Sequence, residues 1–128
     1  SRLVVARAFT MSALHAAGGC VSTVDDLSRF TEALLGGRLL RPETLERSLE
    51  PVRLAGGRLG ATSNGGWQLD RVAGRRAAMK GGALPGVCTW LLAVPDDSLA
   101  VVLLTNRSAG QPRCGMLAVQ LAGIAAGR

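Results

Sequence analysis

The sequence predicts an α+β fold: helices first, then an antiparallel sheet of about four strands, then a C-terminal helix packed on it. Three observations predict this. Residues 23–50 carry apolar side chains at helical spacing behind capping signals. From residue 66 the period shortens to strands separated by turn residues, and a last helical stretch opens at Pro112. At 128 residues the chain is long enough for one domain with one core. The helical region falls at about 12–50 and the sheet with its closing helix at about 66–126.

Residues 1–20 read as an irregular or partly extended lead-in that ends in a bend at Gly18-Gly19. Ser22 and Thr23 offer N-caps, and Asp25 and Asp26 place acid in the first turn. Leu27, Phe30 and Leu34 then form one apolar stripe, and Gly36-Gly37 stops a helix over 23–35. Pro42 and Glu43 start a second, shorter helix whose buried side is Leu45 and Leu49, with Pro51 ending it. Gly, Arg, Ser and Asn dominate from Val52 to Gly65, which reads as loop with at most one short strand.

Trp67 to Asp70 alternates like a strand with one wet face, and a turn at Ala73-Gly74 leads into Arg75–Lys80. Val87–Val94 and Leu99–Thr105 are nearly continuous apolar runs joined by Pro95-Asp96-Asp97-Ser98, a type I turn composition, so they form a hairpin buried on both faces. In the last helix Leu117, Leu121 and Ile124 share a face and are expected to meet the sheet. One closing helix covers one sheet face, whereas the hairpin asks for cover on both. A further N-terminal portion is therefore expected to complete the fold.

Composition narrows the function classes. Disorder is excluded by 48% hydrophobic and 19% charged residues, and no apolar run is long enough to span a membrane. The net charge of +6 is spread along scattered arginines, and the aromatics are only Phe9, Phe30, Trp67 and Trp90, a poor match to a nucleic-acid surface. Cys20, Cys88 and Cys114 are odd in number and widely spaced, so they are read as buried small hydrophobes rather than a disulfide framework or zinc site. His15 has no partner at ligand spacing and reads as structural. Asp96 and Asp97 read as turn residues, not paired catalytic carboxylates, and the tryptophans as packing residues. No metal or other cofactor is expected.

One stretch stands apart, Ala78-Met79-Lys80-Gly81-Gly82-Ala83-Leu84-Pro85-Gly86. Lys80 is the sole lysine, at the end of a strand and against two glycines that allow close approach to the backbone. A compact ammonium beside an exposed strand edge suits a carboxylate or a developing oxyanion. The local residues alone favour the plainer reading, a Gly-rich turn ending in one solvated lysine.

The order of short motifs adds a resemblance. Ala17-Gly18-Gly19, Ser22-Thr23 with Asp25-Asp26-Leu27 and Phe30, Pro42-Glu43 with Leu45, Gly66-Trp67, Lys80-Gly81-Gly82 with Pro85-Gly86, Val94-Pro95-Asp96-Asp97 and Leu104-Thr105-Asn106 follow one another along the chain. In this order they resemble the C-terminal portion of the serine β-lactamase and penicillin-binding-protein-like hydrolases, a group that includes esterases and D-aminopeptidases. In that family the serine of an S-x-x-K motif attacks an acyl carbon, a Y-x-N or S-x-N element assists proton transfer, and a K-T-G-type element lies on an inner strand. The resemblance implies that Lys80, Gly81 and Gly82 are the third element, with Lys80 facing the substrate carboxylate. It also implies that the backbone N–H of Ala83 is half of the oxyanion hole, a donor whose loss costs about 3–4 kcal/mol of transition-state stabilisation.

Two departures qualify what the resemblance implies. Gly81 stands where a hydroxyl residue is usual, which favours esters or amides over β-lactams. No S-x-x-K occurs, because Ala77 precedes Lys80 by three residues, and the chain has no tyrosine. The 128 residues alone are therefore expected to be inactive, with the serine supplied by the N-terminal remainder of the same protein or by a partner chain. The expected ligand is a small acyl substrate. Neither nucleic acid nor a membrane span is expected, and the compartment stays open between periplasmic or secreted and cytoplasmic. A non-catalytic relative acting as a binding or structural module is the competing reading.

Overall fold

The structure, a computed structural model, describes residues 4–6, 10, 12, 14, 17–108 and 111–127, with the backbone alone for 111–113. His15, Phe9 and half of the lead-in lie outside the described residues. The fold is α+β, with three helices and a six-stranded antiparallel meander in the order β1-β2-β3-β4-β5-β6. The elements are α1 (Val24–Leu35), α2 (Pro42–Leu49), β1 (Pro51–Arg53), β2 (Leu59–Ser63), β3 (Gln68–Val72), β4 (Arg75–Leu84), β5 (Val87–Val94), β6 (Leu99–Thr105) and α3 (Gln111–Ala126).

Local chemistry accounts for the helix ends. Thr23 Oγ1 accepts from the Asp26 N–H at 3.1 Å, one of the orphan donors of α1. Gly36 closes the helix through its N–H to Glu32 O at 2.9 Å, and a Cβ there would lie 2.8 Å from that carbonyl. Pro42 opens α2 at its first turn, where a missing N–H costs nothing.

The expected sheet of about four strands is two strands short. Pro51–Arg53 and Leu59–Ser63 pair with each other where loop was expected. β1 is half-buried at Pro51 and Val52, and β2 is exposed except at Gly60 and Ser63, so neither carries the alternating apolar signal that marks a strand in sequence. β4 is also longer than expected, since its pairing with β5 carries the strand through the glycines to Leu84. The remaining turns follow their residues. Ala73-Gly74 takes positive φ at both positions of a two-residue hairpin, and Gly86 takes φ 80° after Pro85. Pro95–Asp97 makes a single 3-10 turn that Ser98 closes in the left-handed region.

Alternation along β4 and β5 divides the core. Ala77, Met79, Cys88, Trp90, Leu92 and Val94 face α3, with Leu99, Val101 and Leu103 of β6 beside them. Ala78 and Leu69 face the other way, toward Leu34 of α1 and Leu45 and Leu49 of α2. Helices thus lie on both faces, so the expectation of one covered face is corrected: α1 and α2 supply cover on the second. Phe30 and Leu104 remain partly exposed there, so the stripe of α1 is buried chiefly through Leu34.

The helix α3 meets the sheet through a face other than the expected one. Cys114, Gly115, Ala118 and Ala122 are buried, whereas Leu117, Leu121 and Ile124 point outward, Ile124 with 73% of its surface exposed. The reason is Trp90: its indole fills the layer between sheet and helix, and a Cβ at Gly115 would stand 3.0 Å from Cζ2 of the ring. A large side chain under the sheet leaves room only for small ones above it.

The reading of all three cysteines as unpaired is also corrected. Cys88 of β5 and Cys114 of α3 form a disulfide across 26 residues, and Cys20 is free and exposed. Two cysteines far apart in sequence give no spacing signal; the sheet-to-helix crossing brings them together.

Candidate functional site

Lys80 lies on the α1–α2 side of β4, opposite Leu91 of β5. Its position is fixed by a small platform built from the β2–β3 connection. The Asn64 N–H donates to Glu50 O at 2.9 Å and the Gly65 N–H to Ser48 O at 2.8 Å, so this turn satisfies carbonyls at the end of α2. Ser63 is buried and accepts the Trp67 N–H on its hydroxyl at 3.1 Å. Gly66 adopts φ 76°, and its carbonyl accepts a hydrogen bond from Lys80 Nζ at 2.8 Å. An ammonium has three donors, so two remain for a ligand at this exposed position.

The backbone beside Lys80 is open on one edge. β3 runs along β4 only from Arg75 to Met79, and from Lys80 to Leu84 the sole strand partner among the described residues is β5. A two-residue hairpin closes on a mutually hydrogen-bonded pair, here Leu84 and Val87. Strict alternation then turns the N–H groups of Ala83 and Gly81 away from β5, toward the open edge.

Both glycines have a packing reason. A Cβ on Gly81 would overlap Cζ3 and Cε3 of Trp90, its cross-strand partner. A Cβ on Gly82 would stand 2.9 Å from Thr89 Oγ1, which donates to Gly82 O at 3.3 Å. The absence of a hydroxyl residue at position 81 thus has a local cause, the tryptophan beneath it. The sequence marks Lys80–Ala83 and the Gly66-Trp67 pair, but carries no sign that Gly66 O holds Lys80 or that Trp90 dictates Gly81. Those links depend on register, which residue types alone do not encode.

Elsewhere the chemistry is less suggestive. A cavity of about 390 Å³ lies between α2 and the first half of β4, walled by Leu49, Leu69, Ala77 and Pro95 with Glu46 and Arg76 at its rim. It includes none of Lys80–Ala83. Arg76 grips Glu46 through two bonds of 2.8 and 3.1 Å and Asp96 through one of 3.1 Å. The hydrogen bond from Arg76 holds the Glu46 carboxyl below its usual range, and the same partners push the guanidinium up. Asp97 faces Arg75 at 3.5 Å, so the turn aspartates also tie the sheet's charged end together. Among the described residues no group of three or more His, Cys, Asp or Glu is placed to hold a metal, and no helix is long and apolar enough to cross a membrane.

Against known proteins, the family model described as Beta-lactamase matches residues 2–123. The chain belongs to the Beta-lactamase family. This is the serine hydrolase-like group whose motif order the sequence resembles. No curated protein and no solved structure matches the chain.

Proposed function

We propose that this chain contributes the K-T-G-like strand and the oxyanion-hole backbone of a serine acyl hydrolase acting through an acyl-enzyme. The observation that carries the reading is the edge from Lys80 to Leu84, which among the described residues pairs with no strand but β5, with the only lysine of the chain beside it. A substrate carbonyl laid along this edge meets the Ala83 N–H. As the serine oxygen bonds to the acyl carbon, the carbonyl oxygen gains the negative charge that this N–H and the nucleophile's own N–H stabilise. Lys80, anchored on Gly66 O, offers its remaining donors to a substrate carboxylate or to the groups that move the serine proton. Gly81 brings no hydroxyl, which favours esters and amides over β-lactams as substrates. The serine comes from another part of the same protein or from a partner chain.

A second reading, a non-catalytic binding or structural module, is favoured by one specific observation: Lys80 is the sole lysine and no tyrosine exists, so neither S-x-x-K nor Y-x-N occurs here. The test is a serine-directed phosphonate probe applied to the native polypeptide that contains these residues, isolated from its source cells and read by peptide mass spectrometry. A phosphonylated serine in an S-x-x-K sequence, on the same or a co-purifying chain, supports the hydrolase. No labelled serine in either overturns it in favour of the module.

A further inference from the structure

Beneath the open edge lies a continuous set of contacts. Cys88 is the cross-strand partner of Ala83 and is bonded to Cys114 in the first turns of α3. The next residue, Gly115, lies against the Trp90 indole: a Cβ there would stand 3.0, 3.2 and 3.3 Å from Cζ2, Cη2 and Cε2. The opposite edge of that indole covers Gly81. Trp90 is buried and its Nε1–H has no partner among the described residues, so packing alone seats the ring. What presses it onto Gly81 is α3, and what ties the start of α3 to β5 is the disulfide.

We infer that the Cys88–Cys114 disulfide is a redox latch on the Lys80–Leu84 edge, with Trp90 as the positioning residue between them. The inference rests on the reading of that edge as the substrate strand. A small dithiol is the reductant. Its thiolate attacks one sulfur of the pair, forming a mixed disulfide and expelling the other sulfur as a thiolate. The second thiol then closes a cyclic disulfide on the reductant and releases the remaining cysteine. Two electrons and two protons pass from the dithiol to Cys88 and Cys114. Both cysteines are buried, so attack requires the start of α3 to lift, the same movement that unseats the indole. With Trp90 free, the backbone opposite it loses its support, and among the described residues β4 beyond Met79 has only β5 to hold it. Substrate alignment along that edge is then lost until the pair is reoxidised.

The test is amide hydrogen exchange read by mass spectrometry on the 128-residue chain in a Cys20→Ser background, with and without a dithiol. Reduction is expected to speed exchange over residues 80–84 and 88–92 about tenfold or more beyond any rise in α1 and α2. Reoxidation restores the slow rates. The Cys88→Ala/Cys114→Ala variant exchanges fast in the same segments and ignores the dithiol. If that variant does not fold, the reversible response of the chain that retains Cys88 and Cys114 decides. Unchanged exchange at 80–84 in protein whose two thiols have become alkylatable overturns the latch. So does an equal rise in α1 and α2, which would make the disulfide a staple of the whole fold, and so does finding both thiols free without reductant. A native protein with no reactive serine removes the hydrolase reading but leaves these exchange rates as they are, so the two failures are distinguishable.

Discussion

The Trp90 indole occupies the space in which a side chain at Gly81 would stand. The pair sits at Cα register in the β4–β5 ladder, one residue from Lys80, so core packing and the candidate site share a backbone. Gly81→Ala is therefore expected to destabilise the chain by about 1–3 kcal/mol through overpacking. Combining it with Trp90→Leu should recover part of that loss. Urea unfolding of the two single variants and the double variant measures it; simple additivity would mean that the two residues do not compete for the same space.

The outward face of α3 gives a second expectation. Leu117→Ser and Ile124→Ser should each change stability by less than about 0.5 kcal/mol, since both side chains already meet solvent. Ala118→Leu and Ala122→Leu should each cost about 1–3 kcal/mol, because both positions are fully buried against the sheet. Thermal unfolding of the four variants checks which face the helix presents.

Cysteine chemistry gives a third. Iodoacetamide under native conditions should add once, at Cys20, and three times after reduction and unfolding. Replacing Cys88 and Cys114 by alanine should lower stability by about 2–4 kcal/mol, the usual worth of a cross-link closing a loop of this size. Peptide mapping and urea titration read the two effects.

The Arg76–Glu46 pair sets a pH dependence. Glu46 has its folded pKa below the ordinary value, so the unfolded state binds the proton more readily. Its stabilisation is complete above about pH 4.3 and is lost as pH falls through the depressed folded value. Both side chains are half-exposed, which keeps the effect below about 1 kcal/mol. The stability gap between the native sequence and Glu46→Gln should therefore close as pH is lowered from 6 toward 3, as followed by urea midpoints.

Much of the fold is legible in the residues because the signals there are local. Thr23 with Asp26 caps α1, Pro42 opens α2, and Pro95–Ser98 joins the hairpin, each fixed by neighbours a few positions away. Lys80-Gly81-Gly82 stands out for the same reason: one lysine in a chain of arginines beside two glycines. What stayed hidden depends on distant partners. The β1–β2 hairpin buries no alternating apolar residues, and Cys88 meets Cys114 only once α3 folds back over β5. The turn of α3 onto its small residues follows from the bulk of Trp90, which no helical periodicity within 111–126 can report. Gly66 O reaches Lys80 because the β2–β3 turn lies beside the middle of β4.

The measurement that bears most directly on Lys80 is the rate at which the complete native protein is acylated by an activated ester carrying a free carboxylate, compared with its Lys80→Ala variant. The lysine is exposed and its one hydrogen bond among the described residues is to Gly66 O, so the variant should fold normally and show an unchanged unfolding midpoint. If Lys80 orients substrate at the open edge, acylation should fall about a hundredfold, the scale of losing one preorganised electrostatic partner. Equal acylation rates in two equally stable proteins would contradict the assignment and leave Lys80 a surface lysine that steadies a turn.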